Sequence, residues 1–258
     1  MAELLEERRA AIAVLTMNRP DRLNAVNEAL YTQLIDRLQQ LPSDRSVRAV
    51  VLTGAGRAFC VGADLVGHKQ QQREHDARRH YIDLGQRAAK ALLTCPLPVV
   101  AAIHGHAIGA GLELALACDL SVVADDAKLR FPEFGLGTFV GGGTTRTLVQ
   151  RVGGTRAREL LLLGRFFRGQ DAATYGVCNA AAPAAEVLPA ALAYAEELAT
   201  KAPRSLAFAK QLLAPDSRSL DDVLAAEADA LFACMQTKDW QEGIDAFAER
   251  RTPDFTGD

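Results

Sequence analysis

Residues 97–118 read LPVVAAIHGHAIGAGLELALAC. The unbroken apolar run over 97–103 predicts a strand buried on both faces. The glycine-rich stretch 105–111 predicts a tight turn, and 111–118 predicts a helix opening out of it. Strand, turn and helix in that order suggest a parallel β/α unit. The neighbouring sequence repeats the rhythm. Residues 11–17 and 48–53 predict strands, 27–41 a helix with Leu30, Leu34, Ile35 and Leu38 on one face, and 119–124 and 128–131 further strands.

Beyond about 144 the pattern turns helical. Helices are expected over 155–163, 170–175, 186–201, 203–213, 219–236 and 239–250, punctuated by Pro203, Pro215 and Gly243. No repeat or long linker separates two domains. The expected organisation is a core over 1–195 and a helical C-terminal region over 196–258. Between the two early units, 66–90 is polar, with His68, His75, His80, Arg73, Arg78 and Arg79, and predicts an exposed helix or mobile lid.

Composition narrows the class without naming the chemistry. The 258 residues carry a net charge of −3, with 49% hydrophobic and 24% charged residues, which suits a globular chain and disfavours a general nucleic-acid binder. Cys60, Cys95, Cys118, Cys178 and Cys234 are scattered, odd in number and free of any CxxC pair, so a reducing, cytoplasmic setting is expected. The N-terminus lacks the order of a secretory signal, and no apolar run approaches the ~18 residues of a membrane span.

Several familiar sites fail on spacing. Gly54-Ala55-Gly56 is followed by Phe59 and Gly109-Ala110-Gly111 by Leu114 where a dinucleotide fingerprint needs a third glycine. No P-loop ending and no G-x-S-x-G elbow occurs. His104 and His106 have no third ligand placed by sequence, so no metal is expected.

Two glycine-flanked turns remain. Phe59-Cys60-Val61-Gly62-Ala63-Asp64-Leu65 follows the second strand, and Gly105–Glu113 opens a helix. Small residues let a ligand oxygen approach backbone N–H groups, and a helix start leaves such groups free. Two tight packed turns would explain the same residues. Glu113 lies among Leu112, Leu114 and Leu116, where burial raises a carboxyl pKa towards neutrality. Glu133, between Pro132 and Phe134, is a second carboxylate in an apolar setting, or a strand-end surface charge. Two carboxylates reaching one pocket can hold a water between them.

The chain resembles the crotonase (enoyl-CoA hydratase/isomerase) superfamily over essentially its whole length. The resemblance rests on Asn18-Arg19-Pro20 with Asn24-Ala25, on 59–65, on 101–111, on Glu113–Asp119, on Pro132-Glu133 through Gly137, on Gly141-Gly142-Gly143-Thr144, and on Glu242–Phe247 with Arg250–Pro253. It implies an α/β fold, a ClpP/crotonase-like spiral of repeated ββα units ending in helices that cap a site and build a trimer or a dimer of trimers. It also implies an acyl-CoA thioester substrate whose oxygen is held by the backbone N–H groups of Ala63 and Ala110. Glu113 would then mainly activate a water for C3 and Glu133 mainly exchange the proton at C2. No cofactor is implied beyond the coenzyme A of the substrate, and no nucleic acid or membrane.

Arg22, Ala25, Ala63, Asp64, Leu65, Gly109, Thr138 and Gly141 match positions around the thioester and coenzyme A. Family isomerases often keep only the second glutamate, so both together favour a hydratase. The stretch Gly137–Thr144 departs from typical hydratases, with Val140 where a proline is common and one residue fewer before the threonine. That departure keeps an isomerase or an acyl-CoA C–C hydrolase as alternatives, beside a non-catalytic acyl-CoA- or RNA-binding member. Cys60 is expected to be a packed small residue, and Trp240 and Phe247 core or interface residues.

Overall fold

The computed structural model describes residues 2–64, 75–213 and 218–258. Its larger sheet has the order β1-β2-β3-β4-β6-β9, built from β1 (Leu4–Arg9), β2 (Ile12–Met17), β3 (Ala49–Gly54), β4 (Val99–Ile103), β6 (Leu120–Ala124) and β9 (Ala180–Ala182). Only β1 runs antiparallel to its neighbour, with Leu4 opposite Met17 and Arg9 opposite Ile12; the other pairs are parallel. Every residue of β3 and β4 is buried, as their unbroken apolar sequences require of parallel strands covered on both faces.

A smaller sheet pairs β5 (His106–Ile108) with β7 (Lys128–Arg130) and β7 with β8 (Phe167–Arg168). Two isolated bridges extend it, Cys60 to Ala107 and Val26 to Ala63. The chain therefore advances by a repeated step. It runs through one strand of the large sheet, crosses into a short strand of the small sheet, then returns as a helix. β4, β5 and α3 (Ala110–Ala117) make one such ββα turn. The segment 60–63 and α2 (His75–Thr94) follow β3 in the same order. This is the expected spiral.

The helices are α1 (Glu28–Gln40), α2, α3, α4 (Thr144–Leu163), α5 (Gly169–Tyr175), α6 (Val187–Ala199), α7 (Pro203–Leu213), α8 (Leu220–Met235) and α9 (Lys238–Glu249). Helix α4 begins earlier than the periodicity predicts and is broken at Gly153, whose φ of 74° and ψ of 162° are not helical. Buried core side chains run from Leu4 to Ala195; after them, among the described residues, only Ala246 joins the buried hydrophobic set.

Two expectations are corrected. Residues 75–90 are helical and exposed through 75–80, as expected, but the segment also buries one face. They belong to α2, whose Tyr81, Leu84, Ala88, Ala89 and Leu92 are buried and which packs against α1; the rest of the expected segment lies outside the described residues. Alanines at two of five core positions disguised the apolar stripe. Trp240 and Phe247 are not core residues of the chain. They are 45% and 87% exposed on α9, which buries Asp239 and Ala246 instead.

Candidate active site

The two glycine-flanked turns meet. Val26 N–H donates to Gly62 O at 2.8 Å and Asp64 N–H to Val26 O at 3.1 Å. Residues 62 and 64 thus face Val26, and strand alternation aims the Ala63 N–H to the other side. On that side lies the second turn. Gly62 has φ +89°, and a Cβ there would sit 2.7 Å from Ile108 O and 3.3 Å from Ala110 N, so only glycine lets the turns approach. Ala110 is the first residue of α3, which has Gly109 as N-cap and no side-chain cap. Its N–H has no partner within the helix, and among the described residues neither the Ala63 nor the Ala110 N–H enters a backbone hydrogen bond in the turns and loops. The turn that carries Ala63 thus packs against the start of α3, where Ala110 lies.

Both glutamates face this place. Glu113 is in the first turn of α3, its N–H donating to Gly109 O at 2.9 Å. Its Oε1 accepts from Gly141 N–H at 2.7 Å. Burial pushes its carboxyl up from 4.5 to about 7; the Gly141 N–H opposes that rise and nearby Glu133 adds to it. Glu133 opens a turn of 3-10 helix (Glu133–Leu136) just after β7. Its Oε1 lies over Gly109, where a Cβ would sit 2.5 Å away and φ is +51°. Its Oε2 is buried without a partner among the described residues. Burial raises the Glu133 carboxyl too, against its own backbone N–H and Arg130. Burial thus favours the protonated form of both carboxyls relative to surface glutamates.

The remaining expected positions are placed as follows. Arg22 is exposed and Ala25 buried. The Asp64 carboxylate is 3.0 Å from Arg19 Nη2, and Arg19 Nη1 donates to Ala25 O. Thr138 N–H donates to Glu133 O at 3.0 Å. Leu65 and Arg73 lie outside the described residues. Cys60 is fully buried, and burial pushes its thiol up to about 12, which fits a packed residue. His104 Nε2 donates to Gly56 O, 3.0 Å away, and among the described residues no three metal-ligating groups cluster.

Sequence reasoning missed three groups that hold the site. Arg19 ties the strand after Ala63 to the turn at Ala25, also lying 3.6 Å from Glu3. Tyr81 Oη donates to Val26 O at 3.1 Å, beside the bond from Asp64. Gln86 Oε1 accepts from Gly142 N–H at 3.1 Å. Arg19 sat in a quoted motif; nothing in the polar run of α2 distinguishes Gln86 from its neighbours.

Comparison with known proteins agrees with this geometry. Residues 7–258 match the family model for enoyl-CoA hydratase/isomerase. The chain is 36% identical over 258 residues to the 2,3-dehydroadipyl-CoA hydratase of Escherichia coli, covering all of both chains. It is 38% identical to a putative enoyl-CoA hydratase of Thermus thermophilus, over 98% of this chain and 100% of that one. Among solved structures, an enoyl-CoA hydratase from Bacillus anthracis superposes with a TM-score of 0.94 at 32% identity, over 99% of this chain and 100% of that one.

Proposed function

The chain belongs to the enoyl-CoA hydratase/isomerase family, and we propose that it adds water reversibly across the 2,3-double bond of an acyl-CoA thioester. The observation that supports this is the pair of buried carboxyls, Glu113 and Glu133, beside the start of α3. Ala63 and Ala110 N–H would hold the thioester oxygen, where negative charge develops as an enolate; each such donor stabilises the transition state by roughly 2.7–4 kcal/mol. Glu133, whose Oε1 lies over Gly109 next to Ala110, would then serve C2. Glu113, held by Gly141 N–H, would serve C3.

The step balances with the pair holding one proton. Water oxygen bonds to C3 as Glu113 takes one of its protons. The C2–C3 π pair moves to the thioester oxygen, then returns as C2 takes a proton from Glu133. Proton exchange between the two carboxyls restores the pair. Net addition of H and OH needs no redox partner or metal in this scheme. Arg22, Ala25, Asp64, Leu65, Thr138 and Gly141 complete the proposed surround, Asp64 by anchoring through Arg19. A cytoplasmic enzyme fits five free cysteines, four of them buried. Leu231, Phe232, Trp240 and Phe247, exposed on α8 and α9, support assembly as a trimer or dimer of trimers.

The test is a product assay with crotonyl-CoA. Wild type should form the 3-hydroxyacyl-CoA, and Glu133→Gln should lose at least ~100-fold in kcat with folding intact. A product with the double bond moved and no hydroxyl, or unchanged turnover in the variant, overturns the assignment.

A further inference from the structure

Helix α2 reaches the stretch Gly137–Thr144, which departs from the typical hydratase pattern, through Gln86. Gly141 and Gly142 are consecutive, and their two N–H groups go to different acceptors. Gly141 N–H goes to Glu113 Oε1 at 2.7 Å and Gly142 N–H to Gln86 Oε1 at 3.1 Å. Gly142 has φ +61° and Gly143 φ +76°, so the backbone here turns through left-handed conformations that glycine adopts without steric cost. A Cβ on Gly141 would lie 3.3 Å from Glu113 Oε2 and 3.6 Å from Gln86 Nε2, which places both side chains on the same face of that peptide.

We propose that Gln86 is a positioning residue for hydration: by holding Gly142 N–H it fixes the preceding peptide so that Gly141 N–H stays aimed at Glu113. The inference rests on the proposed role of Glu113, and its physical content is separable from it. Gly141 N–H is the contact that opposes the burial-driven rise of the Glu113 carboxyl, while Glu133 adds to that rise. Cys60 and Tyr31 also feel the Glu113 charge, but both are held well above neutrality by burial and stay protonated. Arg130 acts on Glu133, not on Glu113. Loosening Gly141 therefore has a readable sign: Glu113 binds its proton more tightly.

The experiment compares wild type with Gln86→Met, which keeps chain length without a strong acceptor, and Gln86→Glu, which keeps an acceptor at the same reach. Three readouts are taken: hydration of crotonyl-CoA against pH, thermal unfolding, and the infrared carboxyl titration assigned by difference from Glu113→Gln. Gln86→Met should fold normally, lose about tenfold in kcat with KM within about threefold, and shift the Glu113 titration to higher pH. Gln86→Glu restores the acceptor but sets a further carboxylate beside Glu113, so kcat should recover above that of Gln86→Met while the Glu113 titration stays raised. Wild-type kcat with an unmoved titration in Gln86→Met overturns the proposal, as does a loss confined to KM with the titration unmoved. Should wild type fail to hydrate any enoyl-CoA, the functional reading falls, and the infrared shift alone decides whether Gln86 positions Glu113.

Discussion

Glu113→Gln keeps the shape of the side chain and removes its proton-binding group, so it separates what Glu113 costs the fold from what it does in the site. Burial raises the carboxyl from 4.5 to about 7, with Glu133 adding to the rise. A glutamate raised in the native state keeps a proton that the unfolded chain has already released. Its contribution to stability is therefore intact below about pH 4.5, is lost as pH rises, and is fully gone above about pH 7. At ~1.4 kcal/mol per pKa unit, a rise of this size amounts to about 3 kcal/mol. The residue is 9% exposed, so solvent screening removes little of it. Glutamine keeps an oxygen for Gly141 N–H and carries no charge. The variant should therefore be about 3 kcal/mol more stable than wild type near pH 8.5, and level with it near pH 4.5. Urea unfolding at both pH values, at one protomer concentration, measures the gap, and crotonyl-CoA hydration measures the lost activity. A gap of equal size at both pH values, or a wild type more stable at the higher pH, refutes the reading of Glu113 as a carboxyl whose charge is disfavoured by the fold.

Ala110→Pro removes one N–H at the first position of α3, where proline is tolerated, and kcat/KM should fall at least ~100-fold without loss of helical circular dichroism. Gly109→Ala should be comparably damaging for another reason: its Cβ would sit 2.5 Å from Glu133 Oε1 at a φ of +51°, so Glu133 must move, and a difference crystal structure would show it displaced. Lys210→Met acts far from the chemistry. Lys210 Nζ lies 2.7 Å from Asp119 Oδ2 and also donates to Leu92 O and Leu97 O, tying α7 to the core. Removing it leaves Asp119 without its cation, and urea unfolding should show a loss of about 3 kcal/mol with kcat unchanged.

The sequence made the parts with strong local signals legible. β3 and β4 were readable because parallel strands buried on both faces must be apolar throughout, and Glu113 stood out because a carboxylate among leucines breaks that rule. The short strands were not readable. β9 is three alanines, residues with no β preference, held by pairing to β6; β1 is charged at four of six positions because only its first residue is buried. The close approach of the turn at Gly62 to Ile108 and Ala110 was equally invisible locally. It depends on Gly62 admitting Ile108 at a distance no Cβ allows, a constraint that joins residues 46 positions apart.

The same reasoning explains why Gln86 escaped notice and Glu113 did not. A catalytic carboxylate must be buried to shift its pKa, and burial marks it among apolar neighbours. A residue that holds a catalytic peptide needs only an acceptor at the right reach, and Gln86 supplies one from an exposed position on α2. Its neighbours Arg87 and Lys90 are equally polar and exposed. Composition along α2 cannot rank these three; only the partner across 56 positions of chain does so. Helix α2 is thus a packed wall beside the site, with Tyr81 on Val26, which bridges to Ala63, and Gln86 on the turn that also holds Glu113. Changes on α2 that leave its buried face intact should alter catalysis only where they touch one of these two backbone contacts.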